Sequence, residues 1–286
     1  MAIRTDLAVE AVEFAGENLP QGVLQQVKEH GSIKITRVEV KEEAAAQSLG
    51  KPAGIYTTIE VASFEPTAQN LSEEVEAIAG EIRALLPQEG PVLVVGLGNN
   101  DITPDAIGPK TVAQILATRH IPSEVAAQSG LGSLRAAAAL APGVLGQTGI
   151  ETSEIIASLV KQISPAAVVV IDALASKSLD RLGKTVQISN TGIAPGAGVQ
   201  NRRKEISSQS LGVPVIAVGV PTVVDMATIT EELSGARPHS PESENMMVTP
   251  RDIDVIVEKS AKTLSMAINK ALQPGLSVSD LTALVS

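Results

Sequence analysis

Cysteine is absent from the 286 residues, so no disulfide can staple the fold and no thiolate can serve as nucleophile or metal ligand. Tryptophan is absent as well, and the aromatic side chains are Phe14, Tyr56 and Phe64. A core made without aromatics is assembled from Ala, Val, Ile and Leu, and the stacking platforms that hold single-stranded nucleic acid have no material here. A metal site would have to use carboxylates or His30, His120 and His239. Basic residues are outnumbered, leaving a formal net charge of −10, which excludes the basic face that direct binding to nucleic acid or to an anionic membrane needs. The longest apolar runs, around 168–175 and 213–220, fall far short of the roughly 20 residues of a membrane span. The N-terminus also lacks the apolar centre of a secretion signal, so a cytoplasmic protein is expected.

What is present is a pattern of short aliphatic runs alternating with helical segments. Pro91–Gly96, Ala166–Ile171 and Val213–Val218 are apolar without alternation, as parallel strands covered on both faces are; Lys184–Ser189 is a weaker fourth. Ala106–Thr118 and Ile150–Ile163 lie between them with helical composition. The order strand, helix, strand implies an α/β fold: a mostly parallel twisted sheet with helices on both faces. Ahead of it, Ser32–Val40 and Ile55–Val61 alternate apolar and polar residues and predict a small antiparallel strand pair, with a helix over Lys41–Leu49 ended by Gly50. Asp6, Glu10 and Glu13 recur at about one helical turn, predicting a solvated surface helix within residues 5–29. Leu71–Leu86 reads as a helix capped by Ser72, and Thr249-Pro-Arg-Asp opens a last helix running to about Leu272.

Polar and glycine-rich sequence follows each buried run. Asn99, Asp101 and Asp105 come after the first and Asp172 ends the second; Ser189–Gly198 with Asn201-Arg-Arg-Lys204 follow the fourth, and Gly219–Asp225 the third. If the strands are parallel, all of these converge on one sheet edge and Asp105 can face Asp172. Two neighbouring carboxyls share a proton, so one can act as base while the other donates. The same pair could instead hold a divalent cation through oxygen. Gly96-x-Gly98 resembles the start of a dinucleotide loop, but position 101, where the third glycine belongs, is Asp. His120 reads as a partner for a helix C-terminus, and His30 and His239 as surface residues.

Several longer motifs, taken in order, resemble the germination protease family of endospore-forming bacteria. They are Ile3-Arg-Thr-Asp-Leu-Ala-Val-Glu-Ala11, the stretch from Gly96 to Pro109, Thr118-Arg-His120 and the stretch from Ala141 to Thr152. Ile171-Asp-Ala-Leu-Ala175, the stretch from Ile188 to Gly198 and the stretch from Pro214 to Asp225 complete the set. The resemblance implies an endopeptidase that degrades small acid-soluble spore proteins at germination, in the cytoplasm of the spore core. It also implies an aspartic-type mechanism without a cofactor and a fold related to hydrogenase maturation proteases. In that relative, the acids at the matching strand ends bind a metal.

Carried over by motif, the catalytic pair is Asp105 and Asp172. Backbone donors to substrate are expected from Gly143, Gly146, Gly196 and Gly198. Asn99 is expected beside the substrate, and Arg202, Arg203 and Lys204 to attract an acidic residue of the cleavage site. A homo-oligomer, a tetramer by the resemblance, and one α/β peptidase domain over 1–286 are expected. Within it, 1–65 would form an N-terminal extension, 66–228 the core sheet, 229–247 a surface excursion and 248–286 a helical end. Family members are zymogens with a prosegment before the Arg-Thr-Asp-Leu-Ala motif. With Met1–Ile3 alone ahead of it here, a mature-like or differently regulated form is expected. The competing readings are a metal-dependent peptidase with the same acids, a silent binder of spore proteins, and a nucleotide-binding protein by fold analogy.

Overall fold

Four aliphatic runs set the centre of a nine-stranded sheet, and the rest of the chain is laid around them. In the computed structural model the described residues are 5–16, 19–61, 68–128, 133–196, 204–234 and 246–285. The strands are β1 (Val23–His30), β2 (Ile33–Val40), β3 (Gly54–Glu60), β4 (Val92–Gly96), β5 (Ala137–Leu140), β6 (Ala167–Ser176), β7 (Thr185–Ser189), β8 (Val215–Asp225) and β9 (Met247–Val248). The helices of the first half are α1 (Ala8–Ala15), α2 (Glu43–Leu49), α3 (Ala68–Leu85), α4 (Ile107–Val112) and α5 (Ser123–Gln128). They are followed by α6 (Leu145–Thr148), α7 (Thr152–Ile163), α8 (Ser208–Leu211), α9 (Met226–Ser234), α10 (Ile253–Leu272) and α11 (Val278–Val285). No helix among the described residues is long and apolar enough to cross a membrane.

The sheet runs β1-β2-β3-β7-β8-β6-β4-β5, with β9 on the far part of β8. Strands β8, β6, β4 and β5 are mutually parallel, whereas β1, β2, β3 and β7 are joined by antiparallel ladders. The expected antiparallel pair is β2 with β3, and it continues into the main sheet through β3 and β7 instead of standing apart. Side chains alternate between the two faces. Val92, Val94, Val169 and Ile171 pack with Val75, Ile78 and Ile82 of α3, Ile107 of α4 and Leu264 and Ile268 of α10. Leu93, Val95, Val168 and Val170 pack on the other face with Ile156 and Val160 of α7. Helices on both faces explain why these strands carry no polar alternation.

Several expectations are corrected. Residues 5–29 hold a helix and a strand: α1 is followed by β1, whose residues beyond Val23 are exposed. Glu10 lies on no solvated face; it is 4% exposed. Its carboxylate accepts the Lys177 and Ser178 N–H groups at 2.7 and 3.0 Å, where the chain leaves β6. Helix α3 begins at Ala68, so Ser72 is inside it and caps nothing. Helix α4 ends at Val112, because Asn269 of α10 takes over its outgoing backbone: Oδ1 accepts the Leu116 N–H at 2.9 Å and Nδ2 donates to the Gln114 carbonyl at 3.0 Å. His120 therefore sits exposed in a turn well past the helix, with no helix end to complement. The helix after Pro250 starts at Ile253 and is succeeded by α11. His30 is exposed, while His239 and most of the expected surface excursion, 235–245, lie outside the described residues.

Strand β7 brings the largest change. It is antiparallel to both neighbours, so its glycine-rich sequel leaves from the edge opposite to the ends of β4 and β6. The sequel then turns back. Gly192, at φ +81°, has no room for a side chain, since a Cβ there would lie 2.3 Å from the Ile206 carbonyl oxygen. Ile193 and Ile206 exchange backbone hydrogen bonds of 2.9 and 2.8 Å, and both pack on the α7 face. The segment 193–196 thereby comes to line one cleft with residues 172–175 of β6.

Candidate active site

Adjacent parallel strands β4 and β6 lead in opposite directions: β4 connects outward to β5, and β6 connects to the β7–β8 side. A crevice forms at the carboxyl ends of strands that part in this way. Here it is a cleft of about 380 Å³ whose walls include Asp105 from the β4 sequel and Asp172 from β6.

Glycines bring the two acids to one place. A Cβ on Gly96 would lie 2.2 Å from the Gly108 carbonyl oxygen, and one on Gly108 would lie 2.1 Å from that of Leu97 and 2.7 Å from that of Ile171. The start of α4 thus rests backbone on backbone against the ends of β4 and β6. Between them the chain folds back on itself. Gly98, at φ +110°, approaches Asp105 so closely that a Cβ would meet its carbonyl oxygen at 2.0 Å. Thr103–Asp105 form a single 3-10 turn with Pro104 at its start, and the Asp105 N–H donates to the Ile102 carbonyl at 2.8 Å. The Asp105 carboxylate accepts the Asn99 N–H at 2.7 Å and is half-buried.

Asp172 is 6% exposed and its backbone is held opposite Gly219 of β8. Ile171 packs toward α4, so by strand alternation Asp172 faces the side of Val170. One of its oxygens accepts the N–H of Ala173 at 3.0 Å.

A third acid, Asp6, lines the same cleft. Burial holds its carboxyl above the ordinary carboxylate range, opposed by the N–H of Ala175 and the charge of Lys51, with Glu10 adding to the rise. Burial likewise holds the Lys51 ammonium below its usual range, against the pull of Asp6 and Glu10. Gln187 fixes this segment by donating to the Asp6 carbonyl at 2.7 Å and accepting the Ala8 N–H at 2.6 Å. The spacing of Asp6, Glu10 and Glu13 predicts a solvated surface helix through Asp6, whereas Asp6 lies just ahead of α1. Nothing in a helical period signals that a residue before the helix turns inward.

The other residues expected at the site divide. Gly196 lines the cleft together with Ile193, Pro195 and the β9 segment residues Met247 and Thr249. From the 141–152 loop the wall is made by Val144 and Thr152, not by Gly143 or Gly146. Gly143 supplies the turn at φ +74°, its carbonyl accepting from Thr152 at 3.3 Å, and Gly146 lies exposed within α6. Asn99 is also off the wall, because its side chain is spent on the Asp101 N–H at 3.0 Å and on Gln147 Nε2 at 2.8 Å. Lys204 points to solvent and pairs with Glu154 at 3.2 Å. Gly198, Arg202 and Arg203 lie outside the described residues. Among the described residues no three His, Asp or Glu side chains converge as a metal site requires.

The cleft thus holds Asp105 from the loop after β4 and Asp172 from within β6, which runs on to Ser176 instead of ending at Asp172 as its apolar run suggests. Residues 5–234 match the sequence model of the germination protease family, and the chain belongs to that family of peptidases. The germination protease of Caldanaerobacter subterraneus subsp. tengcongensis is 42% identical over 320 aligned positions, covering 100% of this chain and 98% of the relative. That of Clostridium perfringens is 42% identical, covering 98% of each. That of Priestia megaterium is 44% identical over 245 positions, covering 81% of this chain and 66% of the relative. Among solved structures, a nickel-iron hydrogenase maturation protease from Thermococcus kodakarensis is similar at 15% identity and a TM-score of 0.37, covering 66% of this chain and 98% of its own.

Proposed function

We propose that the protein is an endopeptidase that starts the breakdown of small acid-soluble spore proteins at germination, and that Asp105 and Asp172 carry the reaction. The single observation behind this is that both acids line one cleft, Asp105 in the loop after β4 and Asp172 in β6 one residue past its last pairing with β4. In this mechanism the two carboxyls share one proton, as neighbouring acids can. The ionised member takes a proton from water as the oxygen attacks the scissile carbonyl, and the protonated member donates to the carbonyl oxygen. Collapse of the tetrahedral adduct returns a proton to the leaving nitrogen and breaks the C–N bond. The same two acids could hold a divalent cation that keeps several waters, so the digestion is run with and without chelator to separate the two mechanisms. A site in the spore core as part of a homo-oligomer belongs to the same proposal.

The test is digestion of a purified small acid-soluble spore protein, read by mass spectrometry with and without chelator. We expect a few defined cuts that chelation leaves unchanged. Asp105→Asn and Asp172→Asn should each reduce the rate by at least about 100-fold, the low end of what general acid–base catalysis supplies. Near-normal cleavage by either variant would end the two-acid reading. Loss on chelation with recovery on one added metal would favour a metal-dependent site, and tight binding without cuts would favour a binder.

A further inference from the structure

Of the buried side-chain polar atoms left without a hydrogen-bond partner among the described residues, Thr222 Oγ1 alone belongs to a residue of the cleft. Thr222 is 1% exposed and lines the same cleft as Asp105 and Asp172. Its position has a specific cause. Along the parallel ladder, Pro221 of β8 stands opposite Leu174 of β6, and Val223 stands opposite Ala175, so β8 carries one extra residue and that residue is Thr222. A bulge of this kind re-aims a side chain and interrupts the ladder beside it.

Both flanks of the bulge are fastened. The Thr222 carbonyl accepts the Thr249 hydroxyl at 2.9 Å, and Ala175 across from it is gripped by Asp6. An enclosed hydroxyl with no partner lowers stability, whereas a methyl in its place costs nothing in hydrogen bonding. The fold therefore has no use for this oxygen.

We propose that Thr222 is a further substrate-contacting residue, whose hydroxyl exchanges a hydrogen bond with the peptide backbone next to the bond that Asp105 and Asp172 cleave. The proposal rests on reading those acids as the reacting pair. A hydroxyl both donates and accepts, so it suits a peptide backbone independently of the side chains that backbone carries.

Thr222→Val keeps the shape and removes the oxygen, and Thr222→Ser keeps the oxygen. The measurements are kcat and KM on a spore-protein peptide, the Kd for the same peptide with its cleaved bond replaced by a methyleneamine, and the thermal midpoint. For Thr222→Val we expect a Kd and a kcat/KM worse by about five- to tenfold, as loss of one hydrogen bond gives, with an unchanged or raised midpoint. Thr222→Ser should stay within about twofold of the parent. Equal Kd and kcat/KM for the valine variant and the parent would overturn the proposal. If the valine variant fails to fold, Thr222→Ala against Thr222→Ser makes the same comparison, and equality there overturns it. Binding is read without turnover, so loss of affinity in Thr222→Val supports Thr222 even if Asp105→Asn and Asp172→Asn stay active, a result that sinks only the acid pair.

Discussion

Asp6 holds Ala175 by both of its ends: its N–H donates to the Ala175 carbonyl at 2.9 Å, and its carboxylate accepts the Ala175 N–H at 2.8 Å. The side chain thus completes what a neighbouring strand would otherwise supply, three residues beyond Asp172. Asp6→Ala leaves that N–H without its acceptor and should lower unfolding stability by about 1–3 kcal/mol. A urea titration measures it, and an unchanged midpoint would show that the grip contributes nothing.

Gly98 tests whether Asp105 needs its present place. Gly98→Ala brings a methyl to 2.0 Å from the Asp105 carbonyl oxygen at a φ of +110°, so the 3-10 turn has to shift. Displacing a reacting group by about 1 Å costs on the order of 100-fold, which is the fall in kcat/KM expected here. Gly146→Ala is the matched control. It meets no atom within 4 Å on α6, and should leave cleavage unchanged while stabilising the helix by about 0.5 kcal/mol. Equal kinetics for the two variants would uncouple the turn from catalysis.

Glu10 and Lys204 separate a buried charge from an exposed one. Glu10→Ala strips the acceptor from the Lys177 and Ser178 N–H groups and removes a partner of Arg181, and should destabilise by about 3–5 kcal/mol. Lys204→Ala breaks a pair whose members are 67% and 57% exposed, and should change stability by less than about 1 kcal/mol. Thermal melts of both variants measure the contrast.

Glu74 on α3 is 6% exposed, and burial pushes its carboxyl up to about 7. The folded state therefore holds this proton more tightly than the unfolded chain, whose carboxyl titrates near 4.5. The stabilisation is complete below pH 4.5 and is lost as the pH rises through about 7. Glu74→Gln cannot ionise and should flatten this part of the stability curve, gaining up to about 3 kcal/mol on the parent at pH 8. Parallel curves for parent and variant between pH 4.5 and 8 would refute the assignment.

How much of this was readable in advance depended on how each residue is buried. Val92–Val95 are covered on both faces, so their lack of alternation names a central strand without any knowledge of neighbours. The residues of β1 after Val23 are exposed on both faces, so no pattern of apolar positions could mark them as a strand. Direction was hidden as well. Thr185–Ser189 are buried whichever way they run, and only the pairing with β3 and β8 makes them antiparallel. Asp105 and Asp172 were reachable because a carboxylate after an apolar run stands out, although β6 runs on past Asp172 to Ser176. Asp6, Glu10 and Thr222 were not, since each turns inward because of a partner more than 160 residues away or a one-residue excess in a ladder.

The contact between Gly96 and Gly108 is peptide against peptide, with no side chain between them to lengthen or shorten. Substitution therefore has no small step by which to move Asp105 relative to Asp172, and the spacing of the acids is an all-or-nothing property of the chain. Adaptation to differently sized peptides has to come from other lining residues, such as Ile193, Pro195 and Met247, whose side chains can be exchanged one at a time. The backbone contact that seats Asp105 is fixed, and the side chains around it are where a lineage can experiment.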